Sequence, residues 1–184
     1  MQRILLSLAV LLGITAARWR KGSCPTPKLQ ENFDAVKYMG KWHEQFRDSE
    51  FEFSPSDAEC AVAEYSLNDD GSIKVHNSQY LTSEHKLDDI NGKAKCDGAQ
   101  CGVKFYWYQP PGDYRVVSTN YDEYTLVYSC NDLFGLFKIE NMWILTREQE
   151  LEPSRLDEIK GMALDAVDGY KEEFLRHTIQ GPAC

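Results

Sequence analysis

Between residues 41 and 145, apolar and polar side chains alternate with a period of two in a series of short runs. This period places successive side chains on opposite faces of a strand. Turn-forming residues separate the runs, as at Asn68-Asp69-Asp70-Gly71. Eight runs cover residues 41–46, 61–67, 72–81, 88–95, 103–108, 114–119, 124–129 and 137–145. Their regular spacing predicts an antiparallel sandwich or barrel.

The hydrophobic period changes after Pro153, a residue that suits the first position of a helix. Apolar side chains then recur at helical spacing, at Leu156, Ile159, Met162, Ala163, Ala166 and Val167. An amphipathic helix needs an apolar surface to cover, so we expect this one to pack on the outside of the sheet. A polar tail is expected from there to Cys184.

The first 17 residues have the pattern of a secretory signal peptide. Arg3 gives a basic start, residues 4–14 are apolar, and Thr15-Ala16-Ala17 supplies small residues for cleavage. We predict a signal peptide at 1–17, one secreted domain at 18–184, and a solvated basic tail at 18–21. A membrane anchor is the alternative, but eleven apolar residues are too few for a hydrocarbon core of about 30 Å.

Composition narrows the function classes. A secreted chain with six cysteines is expected to form disulfides, although six cysteines allow fifteen pairings. The formal net charge of -9 argues against nucleic acid and anionic membrane surfaces as partners. Aromatic residues make up 12% of the chain and are suited to lining an apolar cavity. We predict no stable membrane insertion, and the oligomeric state stays open.

No pattern for catalysis or metal binding stands out. The histidines at 43, 76, 85 and 177 lack metal-ligand spacing, and no glycine-rich phosphate loop is present. Glu44 and Glu64, on neighbouring predicted strands, are candidates for an acid/base pair, but strand glutamates are usually solvated or paired. We therefore expect no metal site, no catalytic residue and no enzyme activity.

Three short motifs carry a family resemblance. They are Gly40-x-Trp42 at the start of the first run, Thr119-Asn120-Tyr121 in the sequence STNYDEYTLVYSC, and Arg147 at the end of WILTR. In this order they resemble the lipocalin family, and the runs GKWHE, AEY and WIL are most similar to its apolipoprotein D branch and to insect bilin-binding proteins and insecticyanins. The resemblance implies an eight-stranded up-and-down antiparallel β-barrel with one C-terminal α-helix packed on its outside.

The resemblance also assigns residues to one closed end of the barrel. It implies that Arg147 packs over the Trp42 ring, a cation–π contact of about 0.5–2 kcal/mol. The closing set is Gly40, Trp42, Thr119, Tyr121 and Arg147. Asn120 stands where many lipocalins have Asp and is still expected to cap its turn. The implied disulfides are Cys24–Cys130 and Cys60–Cys184, which leaves Cys96 for Cys101.

By the same resemblance, the ligand-binding residues are Tyr65, Asn77, Phe105, Trp107, Trp143 and Leu145. Strand alternation agrees, since it places Phe105 and Trp107 on one face and Trp143 and Leu145 on another. The implied function is a secreted carrier of a small hydrophobic ligand such as a fatty acid, steroid or retinoid, with no required cofactor. The alternative ligand is a bilin or carotenoid pigment. In that case the cavity holds a chromophore, for example of the biliverdin type, instead of a lipid.

Two other classes of function are weighed against the carrier. Some lipocalins are isomerases that use a free cysteine in the cavity, which makes an isomerase the remote alternative. A role as a partner of other proteins or as a defence factor, through the acidic surface, is neither favoured nor excluded by the sequence.

Overall fold

The computed structural model describes residues 19–51, 54–181 and 184, so the predicted signal peptide at 1–17 lies outside the described residues. The helices are α1 (Ala35–Tyr38) and α2 (Pro153–Ala166), followed by a 3-10 turn at Glu172–Phe174. The strands are β1 (Arg20–Lys21), β2 (Gly40–Asp48), β3 (Ala58–Leu67), β4 (Ile73–Leu81), β5 (Lys86–Asp97), β6 (Gln100–Lys104), β7 (Gly112–Thr119), β8 (Tyr124–Leu133), β9 (Phe137–Thr146) and β10 (Leu175–His177).

Strands β2 to β9 form a closed up-and-down barrel. Each pairs antiparallel with the next, and β9 pairs with β2 to complete the circle. Closure gives both edges of every barrel strand a partner over at least part of its length. The predicted eight-stranded antiparallel barrel is therefore confirmed, and the short strands β1 and β10 add to β9 and β2, respectively.

Helix α2 packs on the outside of this barrel, as predicted. Ile159 and Ala163 are fully buried, and Val167 just after the helix is 1% exposed. They pack in one apolar cluster with side chains of β2, β8 and β9: Phe46, Leu126, Tyr128, Met142 and Ile144. This cluster is separate from the apolar side chains inside the barrel, so the outward faces of β8 and β9 are buried as well.

One strand boundary differs from the prediction. The run at 103–108 was expected to be a strand, but β6 ends at Lys104 and residues 105–111 form the loop before β7. The loop contains Pro110 and Pro111, which have no amide hydrogen to donate to a neighbouring strand. The aromatic run favours a strand locally, whereas the two prolines exclude a continuous ladder.

The expected solvated tail at 18–21 is wrong at Arg20, whereas Trp19 and Lys21 are exposed. Arg20 lies in β1, and its side chain is only 12% exposed. Its guanidinium pairs with the Asp48 carboxylate at 2.8 Å and lies 3.8 Å from the centre of the Phe174 ring. Asp48 is 1% exposed, and a buried carboxylate needs such a partner. Within the polar tail expected at the C-terminus, Leu175–His177 form β10 against β2.

We expect Arg20→Ala to lower the free energy of unfolding by about 2 kcal/mol, because Asp48 then loses its charge-assisted hydrogen bonds. Lys21→Ala is the matched control, since Lys21 is exposed. This substitution is expected to change the free energy of unfolding by no more than about 0.5 kcal/mol. Urea denaturation of the two variants measures both values. Equal losses would contradict the structural role of the Arg20–Asp48 pair.

Candidate ligand-binding cavity

Trp42 and Arg147 close one end of the barrel. The Trp42 side chain is fully buried, and its Nε1 donates a hydrogen bond to the Tyr38 carbonyl at 2.9 Å. The Arg147 guanidinium carbon lies 3.6 Å from the centre of the Trp42 ring. Gly40 has φ +94°, and a Cβ there would lie 3.3 Å from Arg147 Nη1. Arg147 also donates to the carbonyls of Lys37, Lys41 and Tyr121 at 2.8–3.0 Å.

The turn between β7 and β8 completes this closed end. Thr119 Oγ1 donates to the Tyr124 carbonyl at 2.7 Å and accepts from the Tyr121 amide at 3.0 Å. Asn120 Oδ1 accepts hydrogen bonds from the amides of Glu123 and Tyr124 at 2.9 and 3.0 Å. Asn120 therefore caps the turn, as expected for a residue that replaces Asp. The carbonyl of Tyr121 is in this way held in place for Arg147.

Above the closed end, the barrel encloses a cavity of about 630 Å³. Five of the six side chains that the sequence assigned to the ligand line this cavity: Tyr65, Asn77, Phe105, Trp143 and Leu145. They come from strands β3, β4 and β9 and from the start of the β6–β7 loop. Phe51 adds to the aromatic wall, with its ring centre 5.0 Å from that of Trp143.

Trp107 does not reach the cavity, and the expectation that it faces inward with Phe105 is wrong. Its side chain is 91% exposed. The resemblance assigned Trp107 to the ligand, and the support came from strand alternation, which ends with β6 at Lys104. In the loop that follows, Tyr106 lines the cavity instead. Phe105 keeps its predicted position because its ring lies directly over Gly92, where a Cβ would come within 2.7 Å of it.

A cluster of three tyrosine hydroxyls lies toward the closed end of the cavity and was missed by the sequence analysis. Tyr114 OH lies 2.8 Å from Tyr38 OH and 3.1 Å from Tyr65 OH, and Tyr38 OH also contacts Thr125 Oγ1 at 3.2 Å. Burial raises the pKa of the Tyr65 hydroxyl to about 12 and the pKa values of Tyr38 and Tyr114 as well. The three hydroxyls therefore stay protonated near neutral pH.

Glu44 places one carboxylate in the wall of the cavity. It is 9% exposed, and its Oε1 accepts from Arg47 Nη1 at 2.8 Å and from Thr178 Oγ1 at 2.6 Å. Arg47 is 1% exposed and also donates to the Pro55 carbonyl at 2.7 Å. Glu64 is exposed outside the cavity lining, so Glu44 and Glu64 do not form an acid/base pair.

The structure contains the two disulfides that the resemblance implies, Cys24–Cys130 and Cys60–Cys184, and the remaining pair Cys96–Cys101. The Cys96–Cys101 pair joins β5 to β6 and lines the cavity. All six cysteines of the chain are thus bonded, and the cavity wall presents no thiol among the described residues.

Within the described ranges, no three His, Cys, Asp or Glu side chains gather in an arrangement that could hold a metal ion. None of the helices found in those ranges is both long and apolar enough to cross a membrane.

Comparison with known proteins agrees with this architecture. The model of the family described as Lipocalin-like domain matches residues 33–180. The chain belongs to the lipocalin family. This lipocalin is 37% identical over 173 residues to apolipoprotein D of Macaca fascicularis, an alignment that covers 88% of each chain. The resemblance inferred from the three motifs is therefore confirmed.

Two solved structures share the fold at low sequence identity. Insecticyanin from the tobacco hornworm Manduca sexta is 20% identical, with a TM-score of 0.72 and 90% of both chains covered. H1 crustacyanin from the lobster Homarus americanus is 17% identical, with a TM-score of 0.73, 91% of this lipocalin and 93% of that chain covered. At these identities the likeness concerns the fold alone.

Proposed function

We propose that this lipocalin is a secreted, non-enzymatic carrier of a small hydrophobic ligand, such as a steroid, retinoid or fatty acid. The observation that carries the proposal is the cavity of about 630 Å³ inside a barrel closed at one end. Its volume falls in the range of about 300–1,000 Å³ that is typical of small-molecule sites. Most of the residues in its walls are apolar or aromatic, and about a third are polar or charged.

Burial of apolar surface supplies the free energy of binding. Each Å² removed from water contributes about 25 cal/mol. A ligand that loses about 400 Å² therefore gains about 10 kcal/mol before the cost of ordering is subtracted, compared with about 8 kcal/mol for micromolar affinity. The disulfides and the closed barrel hold the cavity in shape before the ligand enters, which keeps this cost low.

Two further observations support the proposal. The name of the apolipoprotein D relatives points to lipid, and the similarity covers most of both chains. Three disulfides in one domain are typical of proteins that fold in an oxidising compartment, which supports secretion. The isomerase alternative needs a free cysteine, and a thiol count after denaturation under non-reducing conditions tests it: zero thiols leave no such nucleophile.

A bilin or carotenoid chromophore remains the alternative ligand. An absorption spectrum of the natively purified protein separates the two, because such pigments absorb strongly between about 350 and 700 nm through their conjugated π-systems. A colourless protein that ignores added biliverdin would exclude the bilin ligand. Mass spectrometry of an organic extract of the same preparation then identifies the native lipid.

Trp143→Ala is expected to weaken binding of the native ligand by about 1–3 kcal/mol, because it removes an aromatic wall and enlarges the cavity. Trp107→Ala is the matched control: the same substitution at a side chain that is 91% exposed is expected to change the affinity less than about twofold. Fluorescence titration of both variants measures the effect. Unchanged affinity in Trp143→Ala would place the ligand outside this cavity.

A further inference from the structure

The ionisable residues with a formal charge that line the cavity are all acidic. Four of the lining residues are acidic, and among the described lining residues none is Lys, Arg or His. Glu44 and Asp88 lie opposite Leu145 and Gln79 in the neighbouring strands, and both of these partners also line the cavity. Asp89 instead pairs with His76 at 3.2 Å, and Asp113 pairs with Arg115 at 2.9 Å. The lining acids are Glu44, Asp88, Asp89 and Asp113.

The nearest buried cation does not offset this charge for a ligand. Arg47 is not among the lining residues, and its donors are taken by Glu44, Thr178 and the carbonyls of Pro55 and Ala58. Arg115 pairs with Asp113 at 2.9 Å and is likewise outside the lining. A carboxylate that entered the cavity would therefore lose its water without gaining a cationic partner, which is a costly transfer.

Hydrogen-bond acceptors, in contrast, face the cavity without a partner. Asn77 Oδ1 is buried and accepts no hydrogen bond. Both contacts of the Glu44 carboxylate use Oε1, and no described residue bonds to Oε2. The negative charge of Glu44 acts on groups inside the barrel: together with burial, it raises the pKa of the Tyr65 hydroxyl. A ligand hydroxyl or amine would satisfy these acceptors.

The geometry points to a cavity that selects apolar ligands whose polar group is a hydrogen-bond donor, such as an alcohol, and rejects ligands that enter as carboxylate anions. This inference rests on the proposed carrier function and narrows its ligand class: a free fatty acid binds poorly, whereas a hydroxylated lipid of the same size binds well.

Retinol and retinoic acid are suitable probes, because they share one carbon skeleton and differ in the end group. Titration followed by quenching of tryptophan fluorescence gives both dissociation constants. At about pH 8, where retinoic acid is ionised, we expect retinol to bind the unmodified protein about tenfold more tightly or better. The difference is expected to shrink toward about pH 4.5, because a growing fraction of retinoic acid is then neutral.

The variant Glu44→Gln tests the source of the selectivity. It removes one charge from the wall, so at pH 8 or so we expect the ratio between the dissociation constants of retinoic acid and retinol to shrink about fivefold. Glu64→Gln makes the same change outside the cavity, at an exposed position, and is expected to change neither constant. If Glu44→Gln does not fold, the pH series on the unmodified protein still tests whether the cavity rejects the ionised ligand.

The outcomes separate the two proposals. Equal affinities at pH 8 or so, or tighter binding of retinoic acid, overturn the charge selectivity and leave the carrier function standing. An equal effect of Glu44→Gln and Glu64→Gln overturns it as well. Binding of neither probe, and of no lipid from an organic extract, overturns the carrier function and the selectivity together.

Discussion

Replacing Cys24 and Cys130 together by alanine is expected to lower the free energy of unfolding by about 4–5 kcal/mol. The two cysteines are 106 residues apart, so their bond removes a large amount of conformational entropy from the unfolded chain. In the folded protein it ties the segment before α1 to β8. Alanine is preferred to serine because Cys130 is 5% exposed and a buried hydroxyl would add a second cost.

The double variant of Cys96 and Cys101 is the matched control. These cysteines are 5 residues apart, and the same chain-entropy estimate gives about 2 kcal/mol for so short a loop. Guanidinium chloride denaturation, followed by circular dichroism, measures both double variants against the parent protein. Equal losses from the two would show that loop length does not govern the contribution of these bonds.

Truncation of Trp42 is expected to have the second large effect. Trp42→Ala removes the largest fully buried side chain and should lower the free energy of unfolding by about 3–5 kcal/mol. The loss includes the contact with the Arg147 guanidinium at 3.6 Å and the hydrogen bond from Nε1 to the Tyr38 carbonyl. Arg147 is then left over a void at the closed end.

Trp42→Phe separates the ring from its polar atom. Phenylalanine keeps an aromatic face under Arg147 but cannot donate to the Tyr38 carbonyl, so a loss of about 1–2 kcal/mol is expected. Urea denaturation of both variants, compared with Arg147→Ala, tests the pair. A loss below about 1 kcal/mol in Trp42→Ala would contradict the packing role that the buried ring implies.

The success of the sequence analysis at the site depended on strand length. Strand β9 runs without interruption through Trp143 and Leu145, so both side chains line the cavity, as the resemblance implied and alternation supported. Alternation failed at Trp107 because the pattern does not show where a strand ends. The residues from Phe105 to Tyr108 all have high β propensity, yet they lie in a loop that leads to two prolines.

Contacts between distant segments were beyond the reach of the sequence pattern. Arg20 was expected to be solvated, because the residues near it in sequence include no acidic partner. Its partner Asp48 is 28 residues away, and the Phe174 ring comes from the other end of the chain. The hydroxyl cluster of Tyr38, Tyr65 and Tyr114 combines a helix and two strands in the same way.

By itself, the sequence determined the fold class, the C-terminal helix, the cysteine partners implied by its family and five of the side chains in the cavity wall. These follow from local periodicity and from motifs a few residues long. Both are properties of the sequence that do not depend on tertiary contacts. Only the tertiary structure decided which aromatic side chains face inward at strand ends, which charges are buried in pairs, and that the cavity wall is acidic without a free cation. Those properties depend on the closure of the barrel, which brings together groups that have no short-range relation along the chain.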